Sequence, residues 1–433
     1  MKYYSTKQQT PPVNLREAVL KGLPSDNGLF MPERIPILPE KFIENLENFS
    51  FQEIAFEVAN AILGEDIPTT DLIKLVENAI DFPAPVVSLD ENMHILELFH
   101  GNTLAFKDFG ARFMAQLMGY FVQNNTSTLD ILVATSGDTG SAVAHGFFQV
   151  PNIRVTVLYL KEKVSNFQEK QFTTLGHNIT ALEINGTFDD CQALVKQAFL
   201  DTDLTQKLNL SSANSINISR LIPQSFYYFE AYKQLKNKKK PTVFVVPSGN
   251  FGNLTAGLLA KKMGLPISQF IAATNANDIV PTYLKTGSYQ PRPSTQTISN
   301  AMDVGNPSNF ARMNDLYKNV EDMRAQIKGY AFNDEQTKQA MKEVKDKFGY
   351  IIDPHGAVGY LAFKAYQQEN QQDSNGVILE TAHPSKFAEV VNPAIGAEVQ
   401  IPERMRYLLE KEKKSISLNT DYEGFKKFLL NIK

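Results

Sequence analysis

The stretch Thr242-Val243-Phe244-Val245-Val246-Pro247-Ser248-Gly249-Asn250-Phe251-Gly252-Asn253 carries an unbroken apolar run into a loop with two glycines, and a helical pattern follows from about Leu254. A short run that is apolar throughout reads as a strand buried on both faces, as parallel sheets require. Gly249 and Gly252 would let the backbone approach an anion closely, and the free N–H groups of a helix start would point at it. A tight turn fits these residues equally well. No Gly-Lys-Ser/Thr follows the loop, and the Gly-x-Gly-x-x-Gly fingerprint is missing, which disfavours a P-loop nucleotide site and a nicotinamide-dependent oxidoreductase.

Working outward, the same texture recurs. Apolar runs at His94 to Phe99, Ile131 to Ala134, Ile153 to Leu160, Ile179 to Ile184, Phe270 to Thr274 and Val377 to Thr381 are each followed by a helical pattern. Strands alternating with helices predict an α/β fold with largely parallel sheets, and this length suits two sheets with a cleft between them. Residues 1 to about 90 are helix-rich in pattern and punctuated by proline, which predicts a separate N-terminal cap.

Composition narrows the function classes. The 433 residues are 43% hydrophobic and 21% charged with a formal net charge of -4, so nothing favours nucleic acid or an anionic membrane. The clustered Lys233, Lys236, Lys238, Lys239 and Lys240 precede Pro241 and read as a solvated loop. The single cysteine, Cys191, cannot form an intramolecular disulfide, and no His/Cys cluster has zinc-site spacing. With no apolar leader or spanning run, the expectation is a soluble cytoplasmic protein that uses no metal. Cys191 follows two aspartates and reads as a packing residue.

Chemistry concentrates at His100-Gly101-Asn102-Thr103-Leu104-Ala105-Phe106-Lys107-Asp108. Phe106, Phe109, Phe113, Leu117 and Phe121 recur at helical spacing, which puts Lys107 in the first turn of a helix. The positive end of the helix dipole and the aromatic bulk both favour the neutral amine, which attacks carbonyls. An ordinary lysine lying along an apolar face is the alternative. Thr135-Ser136-Gly137-Asp138-Thr139-Gly140 forms a second glycine turn, with a helix expected from Ser141 and Ser136 or Thr139 as its N-cap. Asn214-Ser215-Ile216-Asn217-Ile218-Ser219-Arg220 offers amides and hydroxyls beside an arginine that can engage two phosphate oxygens, or serve as a structural ion pair. Thr381 ends the strand from Val377, where α/β folds place ligand contacts. His383 and His355 read as structural neighbours.

Together these motifs resemble threonine synthases, pyridoxal-phosphate enzymes of the tryptophan synthase β-like fold type, also called fold type II. The Leu15 to Val19 and Gly28 to Pro32 segments extend the resemblance over nearly the whole chain. It departs at Asn102, where the family commonly has proline, which should loosen the loop before Lys107. The resemblance implies an α/β fold of two parallel or mixed-sheet lobes. A cap over 1–90 would precede a large cofactor-binding lobe over 91–130 and 231–433, with a small mobile lobe over 131–230. It implies that Lys107 forms the Schiff base with pyridoxal 5'-phosphate. Ser248, Gly249, Asn250, Phe251, Gly252 and Asn253 would hold the cofactor phosphate, and Thr381 would face the pyridine nitrogen. Ser136, Asp138 and Thr139 would lie at the substrate side, and Asn214, Ser215 and Arg220 would receive the phosphate of O-phospho-L-homoserine. Threonine and phosphate would be the products, from a monomer or homodimer. Another lyase of the same fold, which needs no second phosphate site, and a non-catalytic binder of phosphorylated small molecules are the alternatives.

Overall fold

The computed structural model describes residues 1–135, 137–161, 164–370 and 373–432. Among them, the larger sheet has the strand order Ile327–Ala331, Gln269–Thr274, Thr242–Pro247, Asn375–Glu380, Met93–Glu97 and Val86–Ser88. Every neighbouring pair is parallel except the last, where Val86–Ser88 runs antiparallel to Met93–Glu97. The smaller sheet is parallel throughout, in the order Ile416–Asn419, Ile179–Asn185, Ile153–Leu160, Leu129–Thr135 and Asn209–Ser212. The central strands Thr242–Pro247 and Asn375–Glu380 are buried at every residue, which is why their middles read as plain apolar runs.

Strand ends shift by one or two residues from the sequence expectation, and four strands of these two sheets escape it, as do Tyr3–Ser5 and Phe30–Pro32, which pair antiparallel in a separate two-stranded sheet. Val86–Ser88, Ile327–Ala331 and Ile416–Asn419 lie at sheet edges and are partly exposed, so their apolar pattern is weak. Asn209–Ser212 is the other edge and is polar in sequence.

The expected division of the chain meets two differences. Residues 416–431 do not join the large lobe: Ile416–Asn419 pairs with Ile179–Asn185, and Phe425 and Leu429 pack with Leu182, Ile184 and Leu194. The N-terminal helices Phe51–Leu63 and Thr69–Ala79 have no core of their own. Ile54, Val58, Leu72 and Val76 share one apolar core with Phe109 and Phe113 of the helix Lys107–Val122. Phe82 packs on Phe109 with ring centroids 4.6 Å apart. Cys191 is buried on the helix Phe188–Leu200, its thiol pushed up to about 12 by burial and by Asp190. No helix among the described residues is long and apolar enough to cross a membrane.

Candidate active site

Lys107 is the first residue of its helix, and Phe106 at the N-cap provides no side-chain cap. The amine therefore sits at the open positive end of the dipole. Burial is the main force holding its pKa below the ordinary lysine value, Asp138 opposes it, and Arg220 and Lys386 add to it. The loop before it is fixed from two sides. Asp108 accepts from Thr103 N–H at 2.8 Å and from Thr103 Oγ1 at 2.7 Å, and a Cβ on Gly101 would fall 2.4 Å from the same carboxylate. Glycine is thus required at 101 for the loop to close on Asp108. On the other side Phe106 N–H donates to Thr381 O at 2.8 Å and His383 N–H to Leu104 O at 3.0 Å, with a bridge between Ala105 and Ala382. These bonds lay the lysine loop along the carboxyl end of Asn375–Glu380 and make Thr381 its neighbour. Asn102 is exposed, and the next residue, Thr103, is held by Asp108.

The loop after Thr242–Pro247 is held by its own side chains. Ser248 Oγ bonds Asn253 Oδ1 at 2.5 Å, and Asn253 Nδ2 donates to Pro247 O at 2.9 Å. Asn250 donates to Ser215 Oγ and accepts from Ser308 N–H. These side chains shape the loop, which leaves anion binding to the backbone. Phe251, at φ 59°, turns the chain into the helix Gly252–Lys262, whose start has no side-chain cap. Leu254 N–H is taken by Asn253 Oδ1 at 3.0 Å, so the N–H groups of Gly252 and Asn253 are the ones left to an anion. The two glycines differ in purpose. A Cβ at Gly249 would lie 2.7 Å from Met302 Cα, so the backbone behind the loop demands glycine there, whereas at Gly252 the nearest atom is Asn309 Nδ2 at 3.5 Å.

The second glycine turn is built differently from the expectation. Its helix spans Asp138–Phe147 and starts three residues earlier than expected, with Gly137 at the N-cap. Thr135 Oγ1 accepts from Gly137 N–H at 3.0 Å and from Gly140 N–H at 2.8 Å. Thr135 therefore fills part of the cradle, and Thr139 does not cap the helix. Ser136 lies outside the described residues, and Thr139 is half-buried. Asp138 is buried; burial disfavours its charge, but Lys386 and Lys107 outweigh that and hold the carboxyl well below the usual range.

Arg220 is buried on the short helix Ile218–Leu221, where Nη1 donates to Ala213 O at 2.8 Å and Nε has no partner. Its guanidinium lies against Gly110 of the lysine helix, and burial lowers its pKa to about 10. Asn214 and Ser215 are half-buried in the turn leading to it. Lys107, Asp138, Arg220 and Thr381 thus meet around one helix start, joined through Asn250 and Ser215 to the loop at 248–253. His383 stays neutral, lowered to about 4 by burial, and bonds Ser385 Oγ at 2.8 Å. His355 pairs with Asp353 at 2.6 Å and accepts from Ala301 N–H at 3.2 Å. Both are held by neighbouring side chains or backbone.

Two residues that sequence reasoning passed over, Lys386 and Arg312, and a third, Asn217, read only as part of the Asn214 to Arg220 segment, help to build the site. Lys386 pairs with Asp138 at 2.8 Å. Arg312 is buried and donates to Phe30 O, Ile216 O and Asn309 Oδ1, which ties the N-terminal segment to the turn before Arg220. Asn217 caps Ile218–Leu221 and donates to Val19 O at 2.8 Å. Only Asn217, a good N-cap residue before an apolar run, carried a usable signal.

A half-buried amine of lowered pKa and an uncapped helix start together fit a cofactor bearing an aldehyde and a phosphate, and the buried guanidinium with an unpartnered Nε is a separate place for a second anion. Comparison with known proteins agrees. Residues 83–381 match the family described as pyridoxal-phosphate dependent enzyme, residues 2–80 the threonine synthase N terminus, and residues 356–429 the threonine synthase C-terminal region. A threonine synthase of Serratia marcescens is 45% identical over 433 residues, covering 100% of both chains. The crystal structure of threonine synthase from Escherichia coli superposes with a TM-score of 0.90 at 43% identity, covering 100% of both chains. The pyridoxal-phosphate-bound threonine synthase from Brucella melitensis gives 0.95 at 34% identity over 99% of each. Fold, site chemistry and full-length similarity agree: this chain belongs to the threonine synthase family of pyridoxal-phosphate-dependent enzymes.

Proposed function

We propose that the protein converts O-phospho-L-homoserine and water to L-threonine and inorganic phosphate, with Lys107 as the amine that carries the cofactor and moves the protons. The observation that carries this reading is the setting of Lys107: its ammonium is destabilised by burial, and Arg220, with a buried and unpartnered Nε, lies beside the same helix. A site for an amino acid with a second, phosphate-bearing end needs both features.

When bound, pyridoxal phosphate supplies an electron sink for charge developing beside the substrate amine. The Gly252 and Asn253 N–H groups at the start of Gly252–Lys262 would hold its phosphate, and Thr381 would offer its ring nitrogen a hydroxyl without the negative charge that keeps such a nitrogen protonated. Lys107, as a free amine, would take the proton from the α-carbon and then serve the β-carbon. General acid–base work of this kind needs an amine whose pKa lies near the working pH. Arg220, with Asn214 and Ser215, receives the substrate phosphate, which leaves from the γ-carbon, and water adds at the β-carbon. Asp138 and Thr139 line the substrate side. Closure of the smaller lobe on the substrate phosphate excludes water until phosphate has left. Small-angle scattering that is unchanged by a substrate analogue would count against that closure.

The test is release of inorganic phosphate together with threonine from O-phospho-L-homoserine by the cofactor-loaded protein. Equal amounts of both are expected. Loaded protein that releases neither would leave the fold and cofactor in place and move the activity to a neighbouring lyase.

A further inference from the structure

Lys386 stands outside the roles assigned above, yet it is only 3% exposed and every bond it makes lies at the site. Its Nζ is 2.8 Å from Asp138 Oδ1, 2.6 Å from Thr103 O and 3.2 Å from Gln171 Oε1. Gln168 Nε2 donates to the same Asp138 oxygen at 2.9 Å, and Gln171 Nε2 to Thr103 O at 3.1 Å. The residue comes from the turn Pro384–Phe387, which follows the last central strand of the large sheet. Its partners come from the small-lobe helices Asp138–Phe147 and Asn166–Thr173 and from the loop before Lys107. One ammonium therefore joins three parts of the molecule at the point where the two lobes meet. A solvated lysine would not be held so.

We propose that Lys386 is a positioning residue, whose buried ion pair with Asp138 pins the lysine loop to the smaller lobe and offsets the field of that carboxylate at Lys107. Asp138 alone would stabilise a positive charge at Lys107 and withhold the free amine; paired, it presents a nearly neutral unit. The groups acting on Lys107 are Asp138, Arg220 and Lys386. Beyond them, Asp108 faces Arg220 and is itself held protonation-prone by burial. His145 shares the Asp138 helix and stays neutral through burial. His383, close to Lys386, is neutral for the same reason.

The inference rests on Lys107 carrying the cofactor, and the experiment separates the two. The holoprotein is reduced with borohydride to locate the attached lysine. The visible band of the unreduced protein is then titrated with pH in the parent, Lys386→Met, Asp138→Asn and the double variant. Lys386→Met should raise the midpoint by about one unit, since an unpaired carboxylate then faces Lys107, and Asp138→Asn should lower it. Asp138→Asn with Lys386→Met, a neutral pair of similar shape, should return towards the parent. Should Lys386→Met fail to fold, the downward shift of Asp138→Asn and its reversal in the double variant test the same point. A purely structural pair would move no midpoint, or move both single variants in one direction, and either result overturns this inference alone. A label on Lys386 in place of Lys107 overturns both readings.

Discussion

Replacing Arg220 tests most directly its proposed role in receiving the substrate phosphate. One edge of the guanidinium is already committed, with Nη1 on Ala213 O at 2.8 Å, while Nε is buried without a partner. The chain packs close behind it, since a Cβ on Gly110 would lie 3.0 Å from Arg220 O and 3.4 Å from Nε. In the proposed role the unpartnered edge serves a ligand, and the close packing leaves little room for the site to shift in compensation. A hydrogen bond to a charged group contributes about 1.5–3 kcal/mol. Arg220→Gln removes the charge and at least two such bonds to phosphate oxygens, an expected loss of about 3 kcal/mol or more, or roughly 150-fold in kcat/KM. Arg220→Lys keeps the charge but loses the fork, so the expected loss is nearer 1.5 kcal/mol, roughly tenfold. The assay is steady-state phosphate release at saturating cofactor, with inhibition by L-homoserine, which lacks the phosphate, measured alongside. Homoserine inhibition should weaken less than about threefold, because its amino-acid end does not use Arg220. If both ligands weaken equally, Arg220 is structural and the phosphate site lies elsewhere.

Lys107→Ala should abolish covalent attachment of the cofactor and lower turnover by about a thousandfold or more, read by borohydride trapping and by phosphate release. Gly249→Ala puts a methyl group against Met302 Cα, which is backbone and cannot rotate away; cofactor affinity should fall about tenfold, measured by titrating the apoprotein with pyridoxal phosphate. His145 and His383 are both lowered to about 4 by burial, so between about pH 6.5 and 4 the unfolded chain binds protons that the folded chain refuses. Stability should accordingly fall as pH drops through that window, and His145→Gln should flatten the slope of denaturant midpoint against pH.

Much of this was legible in the chain because the core strands are apolar on both faces and the helix starts are marked by glycine and hydroxyl residues. Lys107 could be singled out because phenylalanines surround it at helical spacing. Lys386 could not: a buried lysine looks like a solvated one in sequence, and the carboxylate that distinguishes it is on a distant helix. The turn at 135–140 was misjudged for a related reason. A hydroxyl that fills an anion cradle and one that borders it are the same letter, and only the geometry shows Thr135 bonded to Gly137 and Gly140. The edge strands Ile327–Ala331 and Ile416–Asn419 fell below recognition because half-exposed strands need no apolar pattern.

The return of the chain to the smaller sheet bears on how the protein is made. Ile179–Asn185 emerges from the ribosome well before its outer neighbour, since Asn419, which Asn185 contacts, comes 234 residues later. Throughout that interval one side of the strand offers unpaired N–H and C=O groups, the kind of edge that recruits strands from other chains. Ile416–Asn419 and the helix Tyr422–Asn431 then cover it. Loss of that segment would spare every residue placed here at the active site and still leave a newly synthesised lobe open to aggregation. Damage there should appear first as low soluble yield during expression and only afterwards as altered kinetics.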